Sequence, residues 1–168
     1  AFQSDNYPSL AQVGVDIEFH EYALKKYNPS ASLTVHTKVD TNVLILKLFP
    51  GLEKKAVQQL LQTPDLKGVI METYGTGNAP TASWFIDLLG DAIKQGIIIG
   101  NISQCNGGHV RQDHYETGRQ LEAISILSGG DMTTEAAVTK LMFLLGHYSN
   151  TTQVRDAWAK PRCGEMSM

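Results

Sequence analysis

Two glycine-containing segments hold side chains that could recognise a ligand: residues 74–80, YGTGNAP, and residues 103–108, SQCNGG. Each follows an apolar run that predicts a β-strand, and open parallel sheets bind ligands at the carboxyl ends of their strands. The same glycines also suit a tight turn, with Pro80 at the first position of a following helix, and that interpretation needs no ligand. A nucleotide site is disfavoured, because GTGNAP lacks the third glycine of the dinucleotide fingerprint.

An acidic residue and a cysteine in the second half of the chain are further candidates for chemistry. Glu116 lies in HYETG, outside any ladder of charges at helical spacing, so a binding role and an exposed loop carboxylate are both open. Cys105 is close in sequence to His109 and His114, the residue types of a Cys–His nucleophile pair. A free cysteine is, however, more often a small buried apolar residue. Neither CxxC nor HxxxH occurs, so no metal and no cofactor are expected.

Alternating strands and helices must position these segments. A continuous apolar run such as NVLILKLF is typical of a strand that is covered on both faces in a parallel sheet. With right-handed crossovers, the pattern predicts an α/β fold with a small parallel sheet and helices on both faces, three layers of Rossmann-like or flavodoxin-like type. Residues 103–118 are predicted as loop with one possible turn of helix, and residues 121–127 as a short strand or helix end. The predicted strands are residues 42–49, 66–73 and 97–99, and the predicted helices are residues 53–61, 81–94, 134–145 and 152–159.

The first part of the chain lacks this pattern. Residues 1–17 begin with the polar, proline-containing AFQSDNYPSL, and we expect them to be the end of a preceding domain. Residues 18–38 contain a proline and a serine cluster, which suit a linker. Residues 39–168 are then the α/β domain.

Composition excludes several classes of function. The chain has 168 residues, with 14 Lys and Arg against 17 Asp and Glu, a net charge of −3 that offers no basic surface for nucleic acid. No apolar run reaches the roughly 20 residues needed to span a membrane, and no signal-peptide pattern opens the sequence. Two distant cysteines make no disulfide framework, so a reducing, cytoplasmic location is expected.

Three longer motifs resemble a known family: GVIMETYGTGNAP, NISQCNGGHVRQDHYETGRQL and SGGDMTTEAAVTKLMFLLG. In this order they are similar to the C-terminal domain of type I, cytoplasmic-type L-asparaginases, and AFQSDNYPSL is similar to the end of that family's N-terminal domain. The resemblance implies hydrolysis of L-asparagine to aspartate and ammonia through an acyl-enzyme on a threonine. That threonine belongs to TGGT-type and HGTDT-type motifs of the N-terminal domain. This chain contains neither motif, so no catalytic residue is expected in it.

The resemblance also implies binding residues. The asparagine of the GxGN loop and the acid of the Y-E-x-G segment correspond to Asn78 and Glu116, which would contact the substrate's amino group in a neighbouring protomer. Ser103 and Cys105 correspond to a region where bacterial type I enzymes bind a regulatory asparagine. Glu72 stands where that site would carry an arginine, which speaks against such regulation here.

The partners that follow are asparagine, an N-terminal asparaginase domain and further copies of the chain in a dimer or tetramer. Neither nucleic acid nor a membrane is expected as a partner. Two alternatives remain open: a non-catalytic amino-acid-binding or regulatory α/β module, and a subunit of an amidotransferase.

Overall fold

The computed structural model describes residues 6–26, 28–111 and 116–167, apart from the side chain of Glu116. The chain divides into two compact units, Ala1–Thr37 and Lys38–Met168. The candidate binding residues all belong to the second unit.

The first unit contains a short antiparallel hairpin that the sequence pattern did not lead us to expect. Its strands are β1 (Ala11–Val13) and β2 (Ile17–Phe19), with Ala11 opposite Phe19. The N–H of Gly14 donates to the carbonyl of Asp16 at 2.9 Å and closes the turn. The larger apolar side chains of this hairpin are exposed.

The second unit is built on a parallel sheet of four strands in the order β3-β4-β5-β6. Because all three strand pairs are parallel, every strand ends at the same edge, called here the carboxyl edge. The predicted parallel α/β architecture is therefore confirmed. The strands are β3 (Val43–Lys47), β4 (Gly68–Thr73), β5 (Ile98–Ser103) and β6 (Leu127–Ser128).

Within the described residues, five helices cover the two faces of this sheet. The first core cluster joins β4 and β5 to side chains of the first three helices, and the second joins the opposite face to the last two. The three predicted layers are therefore present. The helices are α1 (Lys54–Leu61), α2 (Ser83–Lys94), α3 (Glu116–Ala123), α4 (Thr134–His147) and α5 (Thr151–Trp158).

Three features of the second unit differ from prediction. Strand β5 continues to Ser103, because Gly100 lets the ring of Trp158 approach the backbone and Asn101 is buried. Helix α3 occupies part of the segment predicted as loop and, at residues 121–123, part of the segment predicted as a short strand or helix end. Pro80 precedes Ala82, the N-cap of α2, so the prediction that it opens the helix is wrong.

Candidate functional site

The loop that follows β4 is a closed turn at the carboxyl edge. The N–H of Tyr74 donates to the carbonyl of Asn78, and the N–H of Asn78 donates back to the carbonyl of Tyr74, both at 2.9 Å. Gly75 and Gly77 have φ of +52° and +107°, a region in which residues with a Cβ are strained. A Cβ on Gly77 would also lie 2.9 Å from Cγ1 of Val110. The glycines thus shape the turn, and the turn presents Asn78.

Asn78 is joined to the beginning of α3. The hydroxyl of Thr117 donates to Oδ1 of Asn78 at 3.0 Å, and both side chains are half-buried. The residue before Thr117 is Glu116, the first residue of α3. The side chain of Glu116 and residues 112–115 lie outside the described residues. The structure therefore brings Asn78 next to the helical turn that begins at Glu116.

The loop after β5 is fastened to the loop after β4. The hydroxyl of Ser103 donates to the carbonyl of Gly75 at 2.6 Å and accepts the N–H of Cys105 at 3.0 Å. Gly108 packs so closely on Ser103 that an added Cβ would overlap its hydroxyl. Nε2 of Gln104 donates to the carbonyls of Leu48 and Glu72 at 2.6 and 2.8 Å. Ser103 is thus buried and engaged within the protein, whereas Cys105 is exposed.

Glu72, at the position where a regulatory arginine would stand, is a buried acid. Its Oε1 accepts the hydroxyl of Thr134 at 2.5 Å, and its Oε2 lies 3.0 Å from Nζ of Lys47. The Lys47 side chain is 64% exposed, which leaves this cation accessible to solvent. This part of the carboxyl edge therefore combines an acid with a neighbouring cation instead of offering a lone arginine.

Asn101 is a buried polar residue that sequence reasoning missed. Its Oδ1 accepts the hydroxyl of Thr73 at 2.6 Å, and among the described residues its Nδ2 has no hydrogen-bond partner. Nδ2 points towards Gly77 in the loop that carries Asn78. An asparagine inside the apolar run of β5 was the available signal, since a buried amide requires partners.

A connection between these loops and the last strand runs through residues 110–111. The N–H of Val110 donates to the carbonyl of Gly130 at 2.8 Å, and the N–H of Arg111 donates to the carbonyl of Thr76 at 3.0 Å. Gly129 donates its N–H to the carbonyl of Asn101 at 2.7 Å. The loops after β4, β5 and β6 thus form one hydrogen-bonded surface.

The arrangement does not support a Cys–His nucleophile. No hydrogen bond joins Cys105 to His109 in the described part of the chain, and His114 lies outside it. Residues 6–26, 28–111 and 116–167 also contain no group of three His, Cys, Asp or Glu side chains that could bind a metal ion.

A cavity of about 490 Å³ lies at the opposite edge of the sheet, near the residues that precede β4 and β5. It is lined by Lys67, Gly96 and residues 145–151, and none of the predicted site residues contributes to it. The ammonium of Lys67 is 2.6 Å from Oδ2 of Asp40. The polar loops at the carboxyl edge make the better chemical case for a binding site.

Comparison with known proteins assigns the family. The sequence profile described as Glutaminase/Asparaginase C-terminal domain matches residues 42–158. The chain belongs to this family. The matched region of this glutaminase/asparaginase C-terminal domain includes the sheet, Asn78 and Glu116.

Its relatives are longer proteins with several names. The domain is 40% identical to the 60 kDa lysophospholipase of Mus musculus over 100% of the chain and 30% of that protein. It is 32% identical to L-asparaginase 1 of Escherichia coli over 99% of the chain and 49% of that protein. It is 34% identical to a glutamyl-tRNA(Gln) amidotransferase subunit of Sulfolobus acidocaldarius over 99% of the chain and 37% of that protein. The chain therefore spans between 30% and 49% of the length of these relatives.

Solved structures agree with the family assignment. The L-asparaginase I of Vibrio cholerae superposes with a TM-score of 0.92 at 31% identity, over 100% of this chain and 50% of that one. The thermostable L-asparaginase of Thermococcus kodakarensis superposes with a TM-score of 0.88 at 28% identity. The predicted family and its C-terminal fold are therefore confirmed. In the described segments, no helix is long and apolar enough to cross a membrane.

Proposed function

We propose that this chain is the C-terminal domain of a cytoplasmic L-asparaginase, which hydrolyses L-asparagine to aspartate and ammonia. The observation that carries the proposal is the turn after β4, which fastens Asn78 to the first turn of α3 through the 3.0 Å bond from Thr117. Two residues from separate elements are thereby joined at the carboxyl edge, where ligands of parallel sheets bind. The family assignment and the likeness to L-asparaginases support the same function.

In this proposal the domain recognises the substrate and does not attack it. The carboxylate of Glu116 pairs with the α-ammonium of asparagine, and the amide of Asn78 supplies a neutral hydrogen-bonding group. Both act on substrate held by a neighbouring protomer of a homo-oligomer, a dimer or tetramer. The nucleophilic threonine belongs to an N-terminal asparaginase domain, for which residues 1–17 form the end and residues 18–38 the linker.

We also propose that the loop after β5 contributes to a regulatory site. Cys105 is exposed there, while the hydroxyl of Ser103 orders the loop by bonding Gly75. Because Glu72 replaces the expected arginine and is paired with Lys47, an effector carboxylate would meet Lys47 rather than an arginine. Any regulation at this loop is therefore expected to differ from that of the bacterial enzymes.

A second candidate function is that of an amidotransferase subunit, and a specific observation favours it. The Sulfolobus acidocaldarius relative at 34% identity bears that name. The net charge of −3 offers no basic surface for a transfer RNA, which favours simple hydrolysis. A non-catalytic amino-acid-binding module is the remaining alternative, and it predicts binding without ammonia release from any longer form.

Ammonia release from L-asparagine tests the proposal. A protein that joins this domain to its N-terminal asparaginase domain should turn over at roughly 1 per second or faster, as ordinary enzymes do. The isolated chain should release no ammonia above background, because it contributes no threonine nucleophile. Ammonia release that appears only when a transfer RNA acceptor is added would favour the amidotransferase, and binding of asparagine without turnover would favour the regulatory module.

A further inference from the structure

Residues 160–167 form a segment that is fastened to α4 by a buried charge. Nζ of Lys140 lies 2.8 Å from Oε1 of Glu165 and donates to the carbonyl of Lys160 at 2.9 Å. The Lys140 side chain is 3% exposed, and its ammonium also lies 5.7 Å from the ring centre of Trp158. A lysine buried to this degree needs a paired anion, because an uncompensated buried charge is strongly destabilising. This segment, called here the C-terminal segment, supplies that anion.

Glu165 also organises the C-terminal segment around itself. Its carboxylate accepts the backbone N–H of Arg162 at 2.9 Å and that of Cys163 at 2.7 Å. Burial raises the pKa of Glu165, but the bonds from Lys140 and from these backbone groups outweigh burial and lower the pKa to about 2. The residue is therefore an anion at neutral pH, and the segment is curled in one arrangement.

The end of this segment reaches the carboxyl edge of the sheet. Ser167 donates its N–H to Oδ1 of Asp131 at 2.7 Å and its hydroxyl to Oδ2 at 2.6 Å. Asp131 is 9% exposed and lies in the turn of residues 128–131 that follows β6. Two bonds to one carboxylate fix both its position and its orientation.

That turn contacts the loops of the candidate site directly. The carbonyl of Gly130 accepts the N–H of Val110, and the next residue, Arg111, bonds the carbonyl of Thr76 at 3.0 Å. Val110 also packs on Gly77, the residue before Asn78. Asn78 thus directly follows the residue on which Val110 packs.

We propose that Ser167 and Glu165 are positioning residues for the candidate site, with Glu165 fixing the C-terminal segment and Ser167 fixing Asp131 and the 128–131 turn. This inference rests on the proposed function for its effect on substrate. The segment touches neither Asn78 nor Thr117 in any described hydrogen bond, so it acts through the turn and the 110–111 connection. A positioning role alters how well substrate is bound and leaves the chemical step to other groups.

Steady-state kinetics on the complete enzyme test the role of Ser167. Ser167→Ala removes the hydroxyl bond to Asp131 and keeps the backbone N–H bond. Because this bond acts on substrate only indirectly, its loss should raise the Michaelis constant for asparagine by roughly 3- to 10-fold and leave kcat within about twofold. Ser167→Thr keeps the hydroxyl and should restore most of the loss. Glu165→Gln should raise the Michaelis constant at least as much. Lys160→Ala is the matched control, because its side chain is exposed and its bond to Lys140 uses the backbone carbonyl.

Amide hydrogen exchange separates this proposal from the proposed function. In Ser167→Ala the N–H groups of Val110 and Arg111 should exchange roughly tenfold faster, while core amides of β4 keep wild-type rates. Faster exchange supports the positioning role even if the wild-type enzyme releases no ammonia from asparagine, a result that would refute only the function. Wild-type exchange at Val110 and Arg111 in Ser167→Ala would overturn the positioning role, and so would a Michaelis constant equal to that of Lys160→Ala.

Discussion

The bond between Thr117 and Asn78 gives the sharpest prediction about the site. Thr117→Val removes the hydroxyl that donates to Oδ1 of Asn78 at 3.0 Å and keeps the branched shape of the side chain. The carboxamide of Asn78 then loses a fixed orientation at the carboxyl edge. A neutral hydrogen bond contributes about 0.5–1.5 kcal/mol net, which corresponds to roughly 2- to 12-fold in kcat/KM. The loss should appear mainly in the Michaelis constant, because Asn78 is proposed to bind rather than react.

The assay is ammonia release from asparagine by the complete enzyme. Thr152→Val is the control, since Thr152 is an exposed threonine in the first turn of α5, remote in sequence from the site loops. Asn78→Ala alone and combined with Thr117→Val completes a double-mutant cycle. If the hydrogen bond from Thr117 acts through Asn78, the double variant should lose little more kcat/KM than Asn78→Ala alone. Equal kcat/KM in Thr117→Val and Thr152→Val would refute the orienting role, and full additivity would show that Thr117 acts independently of Asn78.

Three further predictions concern stability and are read by chemical denaturation. Gly77→Ala should destabilise by about 1–3 kcal/mol, because its Cβ would lie 2.9 Å from Val110 at a φ of +107°; a wild-type midpoint would contradict this. Lys140→Met should destabilise by about 3–5 kcal/mol by leaving Glu165 unpaired, and Glu165→Gln in the same protein should recover part of the loss; strict additivity would contradict the pairing. Because the pKa of Glu165 is lowered from 4.5 to about 2, the contribution of this carboxylate to the free energy of unfolding is fully present above pH 4.5 and is lost as pH falls towards 2. Glu165→Gln should therefore flatten the dependence of the free energy of unfolding on pH between 4.5 and 2, and an unchanged slope would count against this role.

Apolar runs predicted the sheet well where the strands are mainly apolar. Strands β3 and β4 lie within the predicted ranges, because most side chains of a covered strand meet a core. Strand β5 was predicted too short, since Gly100 and Asn101 interrupt its apolar run. Their reasons are tertiary: Gly100 accommodates the ring of Trp158, and Asn101 accepts a bond from Thr73. A sequence pattern does not show which residues that are distant in the chain contact each other.

Two other elements show further limits of predicting secondary structure from the sequence. Helix α3 was predicted as loop in its first part, because Gly118 and the surrounding polar residues weaken the helical pattern, although Gly118 is buried in the fold. The hairpin β1–β2 was missed although a signal existed. Apolar residues occupy every second position from Ala11 to Phe19, and Gly14 lies among them at the turn. This pattern is typical of two strands joined by a turn.

The candidate site was predicted in part. Parallel topology correctly places the two glycine-containing loops side by side, and the structure adds the bond from Ser103 to Gly75. The supporting residues were missed, because Ser167 and Asp131 are 36 positions apart and no sequence pattern connects them. The roles of Asn78 and Glu116 in binding substrate remain predictions.

The measurement that tests the central claim most directly is the kinetics of Glu116→Gln in the complete enzyme. The substitution keeps the size of the side chain and removes the charge that is proposed to pair with the α-ammonium of asparagine. Loss of a charge-assisted bond of about 1.5–3 kcal/mol predicts roughly a 10- to 100-fold fall in kcat/KM for asparagine. Glu122→Gln, an exposed acid on the same helix, should keep the wild-type value. If Glu116→Gln and Glu122→Gln both match the wild type in kcat and in the Michaelis constant, this domain does not complete the substrate site through Glu116, and the proposed trans role is contradicted.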